Sequence, residues 1–386
     1  MMKRLSTAAA LFAALAGSRG ALAQPESESA RPPAAPAPEP VSVEAPASTP
    51  PEGRPALPTE AASHGSAKVR VGLEVFAEYM YRRTQAPADG ATWFHSFELP
   101  RAHGAIEGEW EHARGRVLLE AVRSASEGSL VGVSGDSLVL RVREAYGAYR
   151  PIEMLEVSAG VVPTLTIPEL DGTWMMRPVA PSALEASALA SPADLGVKVR
   201  SELPARFGWL AVAAYNGEGY TSRELNRGKT VEGAFEIHPL PRGPLLPLGV
   251  FASYTGGSTS TVSARADRVT SGLVWQGVRV RGGAFFTYAW GVAQLGTQHA
   301  AVGTAFVRVE PLARLLAGAK VDVVVRDVRT APPDAISTVW LTLGYRVAEP
   351  LEVFLAGSHA IPTARATAEV PGSDNWALRV IGRVIF

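Results

Sequence analysis

The chain has 386 residues, 37 basic and 37 acidic side chains, and no cysteine. Zero net charge removes any whole-chain attraction to nucleic acid or to an acidic membrane surface. Without thiols there are no disulfide staples and no thiolate metal sites, so burial and backbone pairing must hold the fold.

The first residues are basic (Lys3, Arg4), an apolar stretch follows at 8–16, and "ALA" at 21–23 precedes Gln24. This order predicts a secretory signal peptide over 1–23. From Gln24 to Ser66 the chain is rich in Pro, Ala, Glu and Ser and nearly free of aromatic and branched apolar residues. Such a stretch has too little apolar surface to offset its ordering entropy, which predicts a disordered periplasmic linker over 24–66.

Beyond the leader no run of eighteen apolar residues occurs, yet 47% of the chain is hydrophobic. A spanning helix is therefore excluded from that part, and a membrane β-barrel or a secreted all-β domain remains. Residues 68–82 alternate strictly. Val69, Val71, Leu73, Val75, Ala77, Tyr79 and Tyr81 share one face, whereas Arg70, Glu74, Glu78 and Arg82 share the other with Phe76 and Met80. The last run repeats the pattern, with Trp376, Leu378, Val380, Val384 and Phe386 opposite Arg379 and Arg383. A period of two is the signature of a strand with one apolar face.

Runs of this type fall at about 68–82, 95–111, 114–124, 137–150, 153–162, 193–202, 207–216, 228–238, 246–255, 265–276, 278–289, 298–310, 312–326, 335–347, 350–360 and 374–386. Their connections alternate between short, near 113, 151, 204, 242, 276, 311 and 350, and long, near 84–94, 125–136, 163–192, 217–227, 256–264, 290–297, 327–334 and 361–373. A meander of some sixteen strands, with tight turns at one end and loops at the other, predicts a transmembrane antiparallel up-and-down β-barrel over 67–386 in a Gram-negative outer membrane. Hydrocarbon offers no partner to backbone polar groups, so the first and last runs must pair.

"REAYGAYRP" (143–151), the paired runs "LGVKVRSEL…FGWLAVAAYNGEGY" (195–220) and the terminal Phe386 resemble segments of the phosphate-selective porin O/P family. The resemblance implies a sixteen-stranded, trimeric, anion-favouring pore in outer-membrane lipid, with its third outer loop folded inward. It also implies that Trp376, Leu378, Val380, Val384 and Phe386 form a C-terminal signal for the barrel-assembly machinery. The connection 163–192 is by far the longest, and Trp174, Met175, Met176 and Leu184 argue that it packs inside and narrows the pore; an outer flap is the alternative. Glu169 and Asp171, with Trp174 and Arg177, are its candidate constriction residues. Its acids outnumber its one arginine, which departs from a strictly phosphate-selective site.

Strand parity places Arg70, Arg141, Arg143, Lys198, Arg200, Arg279, Arg281, Arg308, Lys320, Arg326, Arg346, Arg379 and Arg383 on the water-facing wall. The acids Glu74, Glu78, Glu232, Glu236 and Asp322 share that face. The balance predicts a mild preference for small anions; the alternative is that these arginines pair with wall carboxylates. In the fourth run, parity that turns Arg141 and Arg143 inward sends Glu144 outward, which predicts a bulge there. Tyr79, Tyr81, Tyr146, Trp209, Trp275, Phe286, Tyr288, Tyr345, Trp376 and Phe386 read as rim aromatics, and Trp340 as lumen-facing.

Catalytic constellations are weak. Ser358 and His359 are adjacent, hence on opposite faces of a strand. His95 and His103 share parity in an unbroken strand but lie too far apart for one metal. "NGEG" lacks the lysine and strand context of a phosphate loop. No enzyme, cofactor or metal is expected. The readings that remain are a passive pore with mild anion preference, a general or sugar-selective pore, and a non-conducting barrel tethered through the linker.

Overall fold

The computed structural model describes residues 67–86, 90–123, 138–222, 227–240, 242–259, 263–292, 295–370 and 372–386. The expected leader (1–23), the linker (24–66) and the connection near 125–136 lie outside them. In chain order the strands are β1 (Lys68–Ala86), β2 (Gly90–Trp110), β3 (Ala113–Arg123), β4 (Leu138–Ile152), β5 (Leu155–Pro163), β6 (Ala193–Leu203), β7 (Gly208–Tyr215), β8 (Thr230–Ile237) and β9 (Leu248–Gly256). The short β10 (Ser258–Thr259) and β11 (Ala264–Arg265) pair with each other. Then follow β12 (Asp267–Gln276), β13 (Val280–Val292), β14 (Leu295–Leu312), β15 (Leu315–Asp327), β16 (Asp334–Ala348), β17 (Leu351–Pro362) and β18 (Asn375–Ile385). Apart from β10 and β11, sixteen strands close into one antiparallel ring in sequence order, sealed by β1 against β18. The final residue completes the seam: Phe386 and Leu73 exchange two backbone hydrogen bonds of 2.8 and 3.0 Å.

Alternation decides which face each side chain meets. In β7, Trp209, Ala211, Ala213 and Tyr215 are buried, whereas Leu210 and Val212 are exposed. The same outward apolar set recurs around the ring, with Phe97, Leu140, Leu195, Leu273, Leu341 and Leu355 among its most exposed members. The polar parity faces inward, as the sequence predicts for Glu74, Glu78, Glu232, Glu236 and Asp322, all of which occupy inward register positions.

Two expected loops are replaced by strand. β1 and β2 stay paired to Ala86–Gly90, and β13 and β14 to Val292–Leu295. Cross-strand rings explain the taller first hairpin: Tyr81 stacks on Trp93 at 5.3 Å, Arg83 lies over Trp93, and Tyr79 meets Phe97 at 4.8 Å. Such pairs stabilise a ladder beyond its turn.

Two irregularities reset the parity. Between β3 and β4 the register passes from Leu118–Glu144 to Leu119–Val142, so Arg143 is the extra residue of a bulge. Glu144, Arg143 and Arg141 therefore all reach the interior, and Glu144 pairs there with Arg116 at 3.0 Å. Between β1 and β2 the register skips Leu99 and Pro100. His103 then faces inward beside Glu74, whereas His95 faces outward opposite Tyr81, which corrects the shared parity expected for an unbroken strand.

The tight-turn end leaves little room for a side chain at Gly208, where φ is +120° and a Cβ would lie 1.9 Å from the Glu236 carbonyl oxygen. Gly208→Ala should lower barrel stability by about 1–3 kcal/mol through this backbone clash. Gly147→Ala, with nothing within 4 Å of the added carbon, should leave it unchanged. Unfolding midpoints in detergent compare the two; equal midpoints contradict the β7–β8 geometry.

Candidate functional site

The connection between β5 and β6 lies within the ring. Its neck is closed by the Thr164 N–H donating to the Pro192 carbonyl at 3.1 Å. Two helices follow, α1 (Thr166–Trp174) and α2 (Ala183–Ala186). α1 stops at Met175, which adopts a left-handed conformation and donates its N–H to the Asp171 carbonyl. The segment carries its own apolar face. Trp174, Met176, Val179 and Leu184 are buried with Phe251, Phe285, Phe306, Leu316, Phe354 and Ile381 of the wall. The Trp174 and Phe306 rings are 5.3 Å apart, and Phe285 stacks on Phe306 at 6.0 Å. Each fully buried side chain of this size stabilises the docked segment by roughly 1.5–3 kcal/mol.

Polar pins complete the docking, and they come from all round the wall. The Glu232 carboxylate accepts from Leu165 N–H (2.9 Å), Thr166 N–H (3.1 Å) and the Thr166 hydroxyl (2.6 Å), satisfying donors that open α1. Lys198 donates to the Pro163 carbonyl (3.2 Å), Arg268 to Leu189 (3.0 Å) and Lys320 to Pro181 (2.5 Å). Arg379 donates to the Val179 carbonyl, and Arg281 reaches that of Gly172 at 3.5 Å. Within the segment Arg177 bridges Asp171 and Glu185, and Arg101 of β2 reaches Glu185 at 3.3 Å. Of the four expected constriction residues, Trp174 is core, Asp171 and Arg177 form this ion pair, and Glu169 faces β8.

The expected wall cations are largely engaged. Glu120, fully buried on β3, binds Arg101 (2.7 Å), Arg141 (2.8 Å) and Arg143 (2.9 Å), with His103 at 3.3 Å and the Tyr220 hydroxyl donating at 2.7 Å. Arg383 joins Glu74 and Glu352, and Arg346 pairs with Glu352. Arg326 pairs with Asp334, Lys320 with Asp322, Arg308 with Glu310, and Arg200 with Glu202. Arg70 meets Glu109 at the exposed turn end. Arg279 lies in the β12–β13 turn, exposed, and not on the inner wall. Tyr146 and Trp209 are corrected from rim to interior: Arg114 lies over the first ring and Arg200 over the second, at 4.2 Å. Trp340 faces inward, under Arg379.

Sequence reasoning passed over Glu120, Arg101 and Arg268. Glu120 had a signal, being the only acid in an otherwise apolar and basic strand. The "NGEG" glycines also serve the architecture, since the Asp194 carboxylate accepts from the N–H groups of Gly217 and Gly219.

Glu169 on α1 shares hydrogen bonds with Glu236 and with Gln276, which donates to both carboxyls. Burial, reinforced by the adjacent Glu236, pushes the Glu169 carboxyl up to about 8. A raised carboxyl pKa means that the folded state holds a proton the unfolded chain has lost. Stability therefore falls as pH climbs from the ordinary carboxylate range towards 8. Glu169→Gln should flatten that fall in the unfolding midpoint between pH 5 and pH 8, whereas an identical slope in both proteins would contradict the contact.

Two cavities flank the inserted segment, with linings that run from β3 round to β13. One, of about 560 Å³, opens towards the loop end, and the other, of about 440 Å³, towards the tight-turn end. Thr164 lines both. In sequence, no family model matches the chain and no curated protein is significantly similar to it. Solved structures do match in fold. An anion-selective porin from Comamonas acidovorans superposes with a TM-score of 0.60 at 10% identity, over 83% of this chain and 100% of that one. The fold is that of outer-membrane porins. The outer-membrane channel DcaP of Acinetobacter baumannii gives 0.57 at 12% identity, covering 83% and 97%. The trimer form of OmpT, an outer-membrane protein of Vibrio cholerae, gives 0.56 at 11%, covering 83% and 100%. At these identities the porin likeness speaks for architecture: a closed ring of sixteen strands with an apolar exterior.

Proposed function

We propose that the chain is an outer-membrane porin through which small polar solutes diffuse passively. The observation that carries this reading is a closed ring with an apolar exterior and a cavity on each side of the inserted segment, with Thr164 in the lining of both. A solute crossing the barrel passes the neck Pro163–Thr166, which Glu232 and Lys198 fix to the wall. The exposed apolar exterior suits lipid, and closure leaves no unpaired strand edge within it. Leader, linker and C-terminal signal take the roles read from the sequence, with Phe386 at the seam. Assembly into homotrimers follows the solved OmpT form of similar fold.

A mild preference for anions is the finer part of the proposal. The tight-turn cavity is lined by Arg114, Arg150, Lys198 and Arg200 against Glu153, Glu156, Glu169 and Glu202. Burial beside Glu236 raises the Glu169 carboxyl, so it is the least ionised of the four acids and the lining tilts slightly positive. Because the basic groups that take acid partners are already neutralised in pairs, the bias is weak, and an anion meets stepping points instead of a tight site. Membership of the phosphate-selective O/P family rests on the short motifs at 143–151 and 195–220.

Single-channel recording in planar bilayers tests the reading. Discrete steps are expected, with a reversal potential displaced a little towards the anion in a KCl gradient. A barrel that inserts without conducting would leave only a structural role. Replacing residues 166–189 with a short Gly-Ser linker should raise conductance several-fold, and unchanged conductance would mean that the segment does not set the aperture. Leu341→Arg, on the exposed exterior, should cost about 2–4 kcal/mol of stability in lipid if it lies near the midplane. A neutral effect there would argue against a bilayer around β16.

A further inference from the structure

α1 meets the wall through a chain of polar groups that has too few fixed donors for its acceptors. Glu169 on α1 and Glu236 on β8 share one amide: Gln276 of β12 donates to Glu169 Oε1 at 3.3 Å and to Glu236 Oε1 at 3.0 Å. On its other side Glu236 Oε1 lies 2.9 Å from His238 Nε2. The His238 Nδ1 is 3.1 Å from the Leu248 carbonyl, which can only accept, so this nitrogen carries an N–H. In the neutral ring Nε2 is then an acceptor, and it faces another acceptor. The contact needs a proton, held by the imidazole or by Glu236. The two carboxyls also hydrogen-bond each other, and two carboxylates have no hydrogen to share. A second proton is needed there.

No nearby cation replaces these protons. Arg200 attracts both carboxyls at longer range, but it is paired with Glu202. On the strands that α1 packs against, Arg281 reaches the Gly172 carbonyl and Arg308 pairs with Glu310. Lys198 donates to Pro163, Arg114 and Arg150 are held by Glu156, and Arg177 bridges Asp171 and Glu185. Without the shared proton, Glu169 and Glu236 repel each other across the junction of α1 and the wall. Glu169 is also one of four acids that face four basic groups in the lining of the tight-turn cavity. Ionised, it brings acids level with bases; protonated, it leaves the lining tilted positive.

We propose that Glu169 and Glu236 form a proton-held latch that docks α1 on the wall and sets the ion preference of the tight-turn passage. While the proton is held the passage favours anions; once it is lost to base, α1 loosens at this point and the preference fades. Burial beside Glu236 raises the Glu169 carboxyl to about 8, which puts release on the alkaline side of neutrality. The effect on ions rests on the diffusion-channel reading, whereas the latch itself does not.

Reversal potentials of the full chain in a KCl gradient, recorded from pH 6 to pH 9, test the proposal. The chloride-to-potassium permeability ratio of the wild type should fall about twofold over that range, the effect of one added charge in a narrow passage. Glu169→Gln keeps the shape and offers an amide donor to Glu236, so it should hold the ratio near its pH 6 value. Glu236→Gln removes the neighbouring charge and should move the midpoint of the change to lower pH, a shift that loss of packing alone would not produce. Should one variant lose its heat-modifiable migration on gels, the other carries the test. A wild-type ratio that stays constant, or one that falls equally in Glu169→Gln, overturns the proposal and leaves the channel standing. Infrared difference spectra between the same pH values give a readout that needs no conduction. The wild type should lose a protonated-carboxyl band that is absent from Glu169→Gln. In a barrel that never conducts, that band supports the latch and removes the channel, and its absence overturns the latch.

Discussion

Phe386 joins Leu73 through two backbone hydrogen bonds, and that seam turns a meander into a ring. In a ring every strand has two partners, so each residue's parity becomes a statement about inside or outside. Leu210 and Val212 are exposed because Trp209, Ala211 and Ala213 are not. One extra residue, as at Arg143, shifts that assignment for the rest of its strand. The outer-membrane porin fold is the arrangement that satisfies these conditions with sixteen strands.

A ring this wide has an interior to fill, and the chain fills much of it with its own longest connection. The segment enters from β5, buries Trp174 and Met176 against wall aromatics, and is pinned by groups on opposite sides of the ring. Many of the basic residues are used here. Lys198, Arg268, Lys320 and Arg379 donate to carbonyls of the segment, and Arg141 and Arg143 are engaged by Glu120. The result is a neck fixed to the wall and an inner surface on which most basic groups are already paired.

The strands were legible because lipid-facing positions alternate with inward ones and because turn residues such as "EPLA" and "AEPL" mark one end. The conflict at Glu144 pointed to the bulge that the register contains. Less visible was the inner wall. Docking the inserted segment requires Phe251, Phe285, Phe306, Phe354 and Ile381 to face inward, so the two faces of those strands look alike in hydropathy. The same blurring hid Trp209 and Tyr146, whose rings serve cation contacts inside. Pro100 marked the skip that separates His95 from His103, yet a lone proline near a strand centre also reads as an edge. The pairing of wall arginines with Glu120, Glu352 and Glu74 depends on neighbours in other strands, which periodicity within one run does not report.

The central claim is that residues 164–192 occupy the lumen and pack against the strands opposite their origin. The chain has no cysteine, so an introduced pair reports without background. A Cβ at Gly318 on β15 would lie 2.8 Å from the Met176 sulfur. Met176→Cys with Gly318→Cys should therefore form a disulfide in the folded barrel under mild oxidation, with both thiols lost to labelling after denaturation. If both thiols remain free, and position 176 reacts readily with an impermeant reagent from the loop side, the segment lies outside the ring and the account fails.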